Sequence, residues 1–245
     1  MCDRHYGVGG YGLVLIEKSD VADAKMRVFN RDGSESMIAG NCIRCVGKYL
    51  YDNKIVKKDK ITVETLSGVK SLSLYTRNGK VSTVCVDMGK ASVLSKNIPT
   101  TIKAERIINH PLTVGGKEYK VTCVSIGNPH CVVFTDYVDG FDVKRIGPMF
   151  ENAPEFPERI NTEFIRVVNP TTIKMRVYER GNGETWGCGT GACAAVVAAV
   201  ENGICKMGED ITVKLHGGDL IVNYTDDGVT LTGNADLIYQ GYFKD

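Results

Sequence analysis

Apolar and polar residues alternate with a period of two over much of the chain, the pattern of half-buried β-strands. Residues 61–66, 70–75 and 80–87 alternate in this way, separated by Ser67-Gly68 and Asn78-Gly79, which predicts strands joined by tight turns. A strand is predicted at 13–16, and others at 119–126, 131–135, 163–168, 211–215, 220–224 and 229–232. Residues 41–52 and 190–202 each follow a glycine-containing turn and read as helices. Residues 88–116, polar and carrying Pro99 and Pro111, predict a connector, and the stretch leading to Pro157 predicts a loop. The fold class is therefore α+β, two β-rich halves that each pack one helix in or against a curved sheet.

The two halves share a stretch. Residues 25–40 and 174–189 align without a gap at a constant offset of 149. Identities fall at Lys25/Lys174, Met26/Met175, Arg27/Arg176, Val28/Val177, Arg31/Arg180, Glu35/Glu184 and Gly40/Gly189. The period is too long for a solenoid and indicates two related domains, expected at residues 1–105 and 106–245. The second half has a strand–Gly-Asn–strand unit before its Glu158-Arg159 element, whereas the first begins at Asp3-Arg4. The first half is thus expected to lack its opening hairpin, as a truncated or naturally short form. In both copies the helix begins at a small-residue turn, Ala39-Gly40-Asn41 and Cys188-Gly189-Thr190. Unsatisfied N–H groups and the helix dipole make such a terminus attractive to anions. Two such termini facing each other would hold one carboxylate.

Length allows a real core in each half. A net charge of +1 without a Lys/Arg-rich run gives no footprint for nucleic acid. The longest apolar run, residues 192–200, is too short to span a bilayer, and Met1-Cys2-Asp3-Arg4-His5 has no signal-peptide core. Nine scattered cysteines read as reduced thiols of a cytoplasmic protein. Gly7-Val8-Gly9-Gly10-Tyr11-Gly12 matches a dinucleotide fingerprint formally, but a strand follows it and none precedes, so it reads as a glycine turn.

Cys188 is the sharpest chemical candidate. Flanking glycines are expected to leave its sulfur accessible, and the helix terminus to favour its thiolate and depress its pKa. Cys193, among alanines, reads as core. Cys42-Ile43-Arg44-Cys45 is a lone C-x-x-C, without the second pair that zinc would need. No metal site is expected.

Several segments together carry a resemblance. They are Cys2-Asp3-Arg4-His5-Tyr6-Gly7, Asn30-Arg31-Asp32-Gly33-Ser34-Glu35, Gly40-Asn41-Cys42-Ile43-Arg44-Cys45, Gly127-Asn128-Pro129-His130, Pro157-Glu158-Arg159-Ile160-Asn161, Glu179-Arg180-Gly181 and Cys188-Gly189-Thr190-Gly191-Ala192-Cys193. Over essentially its whole length the chain resembles the diaminopimelate epimerases, amino-acid racemases that use no cofactor. The resemblance implies two pseudo-symmetric domains, each a curved sheet around a central helix, with the site in the cleft between them. It implies that one cysteine thiolate removes the α-proton from one face while a cysteine thiol donates to the other. Cys188, His130 and Glu179 match catalytic positions. Asn30, Asn128, Asn161, Glu179 and Arg180 match positions that recognise the distal end of the substrate, and Gly40, Asn41, Gly189 and Thr190 match its carboxylate cradle.

The chain departs from the family in places. Ala39 stands where the other catalytic cysteine belongs. Cys42 lies almost one turn further along the helix, so its sulfur should project elsewhere, and it is the less favoured substitute. Tyr11 replaces a usual aspartate. The expected function is conversion of LL- to meso-diaminopimelate by two cysteine acid/bases, impaired by Ala39. The alternatives are a racemase of another amino acid such as histidine, and an inactive binding protein or engineered variant that keeps the fold. The expected partners are a small amino-acid substrate and a second copy of the chain, with no nucleic acid or membrane.

Overall fold

The structure, a computed structural model, describes residues 1–3, 5–36 and 40–242. Ala39, one of the positions singled out above, lies outside the described residues. The chain divides into two compact units, residues 1–86 with 232–245, and residues 87–231. The boundary expected at 105/106 falls inside the second unit.

The first unit holds β1 (Gly12–Glu17), β2 (Ala24–Asn30), β3 (Glu35–Ser36), α1 (Gly40–Asp52), β4 (Lys60–Thr65), β5 (Gly68–Arg77) and β6 (Lys80–Gly89), whose last three residues belong to the second unit. Its strand order is β1-β2-β4-β5-β6, with β3 on β2. The β2–β4 pair is parallel and the others are antiparallel. The glycine turn at 7–12 feeds β1, as the sequence indicates. Helix α1 buries Ile43, Val46, Gly47 and Leu50 along one face, at the spacing that places residues on a single stripe. Gly47 lets it lie close to the sheet: a Cβ there would sit 2.9 Å from Leu72 Cδ2 and 3.0 Å from Leu74 Cδ2.

The second unit holds β7 (His110–Val114), β8 (Lys117–Ser125), β9 (Pro129–Phe134), α2 (Val143–Glu151), β10 (Asn161–Asn169), β11 (Thr172–Glu179), β12 (Gly183–Thr185), α3 (Gly189–Glu201), β13 (Asp210–Leu215) and β14 (Gly218–Thr225). β15 (Gly228–Asn234) begins in it. The strand order is β15-β14-β13-β11-β10-β9-β8-β7, with β12 on β11. Two pairs, β9–β10 and β11–β13, are parallel. Helix α3 is buried on every side from Gly189 to Ala199 and packs against β8, β9, β10, β11, β13 and β14. A helix apolar all round belongs inside a fold, and its alanines and glycines let the curved mixed sheet wrap it closely. Among the described residues, no helix is long and apolar enough to cross a membrane.

Two expectations need correction. The connector at 88–116 contains a single 3-10 turn at Ser95–Asn97 and strand β7. The loop before Pro157 contains α2, capped by Asp142, whose side chain accepts from the Arg145 N–H. Val143, Ile146 and Phe150 bury one face of α2 despite Pro148, and Phe150 meets the Phe164 ring edge-on at 5.6 Å.

The repeat has a structural reason. Arg27 Nε donates to Glu35 Oε1 at 2.8 Å across β2 and β3, and Arg176 Nε donates to Glu184 Oε1 at 2.8 Å across β11 and β12. In both copies this pair closes the same hairpin, a few residues before the helix begins. Arg176 also donates to the carbonyls of Val138, Asp139 and Phe141.

Candidate active site

The second unit gathers most of the candidate residues around the start of α3. The hairpin β11–β12 turns through Gly181 and Gly183, both at positive φ, and delivers the chain to Cys188. Cys188 is extended (φ −123°, ψ 117°) and caps the helix with its sulfur, which accepts from the Gly191 N–H at 3.4 Å. The Thr190 hydroxyl lies 3.4 Å from the same sulfur. Glu179, at the end of β11, accepts from the Thr185 hydroxyl, and its carboxylate acts on the Cys188 thiol through its charge.

A second arm arrives from the turn between β8 and β9. Gly127 takes φ +87°, which presents Asn128 toward α3. The Asn128 amide nitrogen donates to Thr190 Oγ1 at 3.3 Å, and its oxygen meets His130 Nε2 at 3.0 Å. His130 Nδ1 in turn meets Glu163 Oε1 at 2.7 Å. His130 and Glu163 are both fully buried. Asn161 is committed to backbone: it donates to the Pro129 carbonyl and accepts from the Arg180 N–H, each at 2.9 Å. It thereby ties the β8–β9 turn to the β11–β12 turn. The Arg180 guanidinium donates to the Glu158 carbonyl at 3.0 Å.

The first unit places its candidates at the matching points of its own repeat. Asn30 bonds Ser34 in the β2–β3 turn. Arg44 donates to the Gly40 carbonyl and to Asn41 Oδ1, stapling the first turn of α1. Burial, reinforced by neighbouring Cys45, pushes the Cys42 thiol up to about 11. A thiol so placed is almost wholly protonated at neutral pH and makes a weak base.

The expectation of an accessible, acidic Cys188 is overturned. Its residue is 8% exposed. Burial raises its thiol well above the ordinary range, and the carboxylates of Glu179 and Glu163 push the same way. The bonds from Thr190 and Gly191 oppose this and lose. Burial likewise raises Glu179, helped by the charge of Glu163, while Thr185 holds it down. Alkylation of Cys188 by iodoacetamide should accordingly rise about tenfold per pH unit from pH 7 to 9, as the thiolate fraction does below its pKa. A plateau reached below pH 8.5 would contradict the raised thiol.

Glu163 and Thr185 did not stand out in the sequence. The signal for Glu163 was an acidic residue directly before the apolar pair Phe164-Ile165.

The sequence profile of the family described as Diaminopimelate epimerase matches residues 1–94 and 122–238, most of the chain. The chain belongs to the diaminopimelate epimerase family. A diaminopimelate epimerase of Acetivibrio thermocellus is 51% identical over 241 residues, 98% of this chain and 85% of that protein. One of Methanococcus maripaludis is 47% identical over 241 residues, 98% of this chain and 86% of that protein. Among solved structures, a hydroxyproline epimerase of Agrobacterium vitis superposes with a TM-score of 0.70 at 16% identity, covering 94% of this chain and 75% of that one. A phenazine biosynthesis protein of Bacillus anthracis gives 0.66 at 14% identity, with 93% and 82% covered. At that identity the likeness is one of fold. It supports the α+β architecture expected from the epimerase family.

Proposed function

We propose that the protein converts LL-diaminopimelate to the meso form, with Cys188 handling the α-proton on one face of the substrate. The single observation that carries the assignment is the position of Cys188. Its sulfur caps α3, lies beside the Thr190 hydroxyl and feels the charge of the Glu179 carboxylate.

The chemistry follows from that arrangement. At neutral pH the raised thiol holds its proton and is poised to donate. To act as a base it must first release that proton, and Glu179 is the adjacent acceptor. Burial moves the carboxylate upward, closer to the operating pH, where proton exchange with a thiol is least costly. The thiolate then takes the α-proton, and the electron pair left on the α-carbon spreads into the substrate carboxylate. The N–H groups of Gly189 and Thr190, which open α3, are suited to stabilise that charge. Return of a proton from the opposite face completes inversion, whereas return from the same face gives exchange alone.

In this reading Gly189 and Thr190, with Gly40 and Asn41, belong to the carboxylate cradle. Asn30, Asn128, Asn161 and Arg180 serve the distal amino-acid end, and His130 supports the acid/base group. The reading includes a cytoplasmic setting, supported by nine cysteines that are all free thiols, and a second copy of the chain as partner.

Incubation with LL-diaminopimelate in D₂O, followed by chiral separation and mass spectrometry, tests the assignment. Deuterium should enter one α-position of this substrate, and histidine under the same conditions should take up none. Uptake by histidine without uptake by diaminopimelate would sink the reading.

A further inference from the structure

His130 and Glu163 lie on the adjacent parallel strands β9 and β10, fully buried and 2.7 Å apart. The hydrogen bonds around them restrict where their protons can be. The Asn128 nitrogen donates to Thr190, so its oxygen faces His130 Nε2. A carbonyl oxygen only accepts, so Nε2 carries hydrogen. With Nε2 protonated, the short Nδ1···Oε1 contact needs one further proton between its atoms. That proton makes either an imidazolium facing a carboxylate or an imidazole facing a carboxylic acid. In both cases the pair is neutral overall, which suits a fully buried site.

Thr190 completes the chain. Its oxygen accepts from Asn128, which leaves its one O–H to point at the Cys188 sulfur, 3.4 Å away. Glu163 cannot swing out of line. A Cβ at Gly191 would lie 2.6 Å from its Oε1, so the helix backbone already abuts the carboxyl. Among the described residues its buried Oε2 has no hydrogen-bond partner, which leaves the contact with His130 as the carboxyl's polar anchor there.

We propose that Glu163 is a positioning residue: by sharing a proton with His130 it keeps Nε2 a donor, which turns the Asn128 amide and the Thr190 hydroxyl toward the sulfur of Cys188. The proposal rests on the reading of Cys188 as the acid/base group. Two opposed influences of Glu163 on Cys188 then coexist. In the imidazolium–carboxylate form its negative end, like the charge of Glu179 from β11, disfavours the thiolate directly. Its hydrogen bond to His130 on β9 orients donors that favour the thiolate. The proposal is that the second influence governs reactivity.

Three measurements test this. The His5→Gln, His110→Gln, His216→Gln triple variant leaves His130 as the only histidine, and its ¹⁵N spectrum should show a protonated Nε2 throughout pH 6 to 9. An unprotonated Nε2, with hydrogen on Nδ1 alone, would overturn the proposal. In Glu163→Gln the amide cannot hand a proton over, and Nδ1 meets either its N–H or its oxygen, so Nε2 is no longer held as a donor by this partner. Alkylation of Cys188 at pH 8 should then fall about fivefold, the effect of losing one oriented hydrogen bond. An unchanged rate, or a faster one as charge removal alone would give, counts against it.

Glu163→Asp keeps a carboxyl but leaves a gap, so it should retain more reactivity than the isosteric Gln variant. The reverse ranking would mean that the side chain only packs. Substrate α-deuterium exchange should follow the alkylation rates in kcat, with KM changed less than about twofold if binding is untouched. A wild-type protein that exchanges no diaminopimelate would refute the proposed function while leaving the spectrum and the alkylation series interpretable.

Discussion

Cys188→Ala should abolish α-deuterium uptake from diaminopimelate, a loss of about 10²–10⁴-fold or more for one general acid/base. The fold should tolerate the change. Cys188 is buried at a helix cap, and alanine removes one sulfur and the weak bond it accepts from Gly191. The companion variant Cys193→Ala, in the interior of α3, deletes a sulfur that is equally buried but has no place in the proposed chemistry. Exchange should survive there within a fewfold. The contrast separates chemistry from packing, because both variants remove similar volume from the same helix. Cys188→Ala retaining exchange within about threefold of wild type would remove Cys188 from the reaction.

The second large effect concerns position 39. Inversion needs removal of a proton from one face and delivery to the other, and the methyl group of Ala39 can do neither. Cys188 alone could still remove and return a proton on its own face. The chain as it stands should therefore show slow deuterium uptake by one stereoisomer only, with inversion far behind. Ala39→Cys should raise inversion by about 10²–10⁴-fold, the worth of a restored acid/base group, and Cys42→Ala should then matter little. Burial leaves Cys42 protonated, with its thiol near 11, which argues against its acting as the replacement. Brisk inversion by the unaltered chain, lost in Cys42→Ala, would show that Cys42 has taken over.

Much of this is legible in the sequence. The repeated Arg and Glu of the two copies prove to be a cross-strand pair that closes the hairpin before each helix, so that identity recorded a shared piece of geometry. Helices at 41–52 and 190–202 differ by one residue at each affected end from Gly40–Asp52 and Gly189–Glu201. Helix α2 escaped notice because nine residues with Pro148 among them give too short a period to register. The error over Cys188 has a different origin. A helix terminus is visible in a sequence, and its effect on a thiol is local. Desolvation and the carboxylates of Glu163 and Glu179 come from β10 and β11, tens of residues away or on a neighbouring strand. Glu163 itself gained meaning only when β9 and β10 paired and brought it to His130.

The burial of α3 bears on how the site fails. A helix enclosed on all sides by its own sheet has no partial exit: its amides are shielded until the strands around it separate, which puts it among the last parts of the unit to open. The sulfur at its tip inherits that protection. Its distances to Thr190 and Gly191 should not relax gradually with heat or mild denaturant, as those of a loop-borne nucleophile would. They persist while the unit persists and vanish with it, so the precision of the proposed acid/base group and the cooperativity of unfolding are expected to be one property of the molecule.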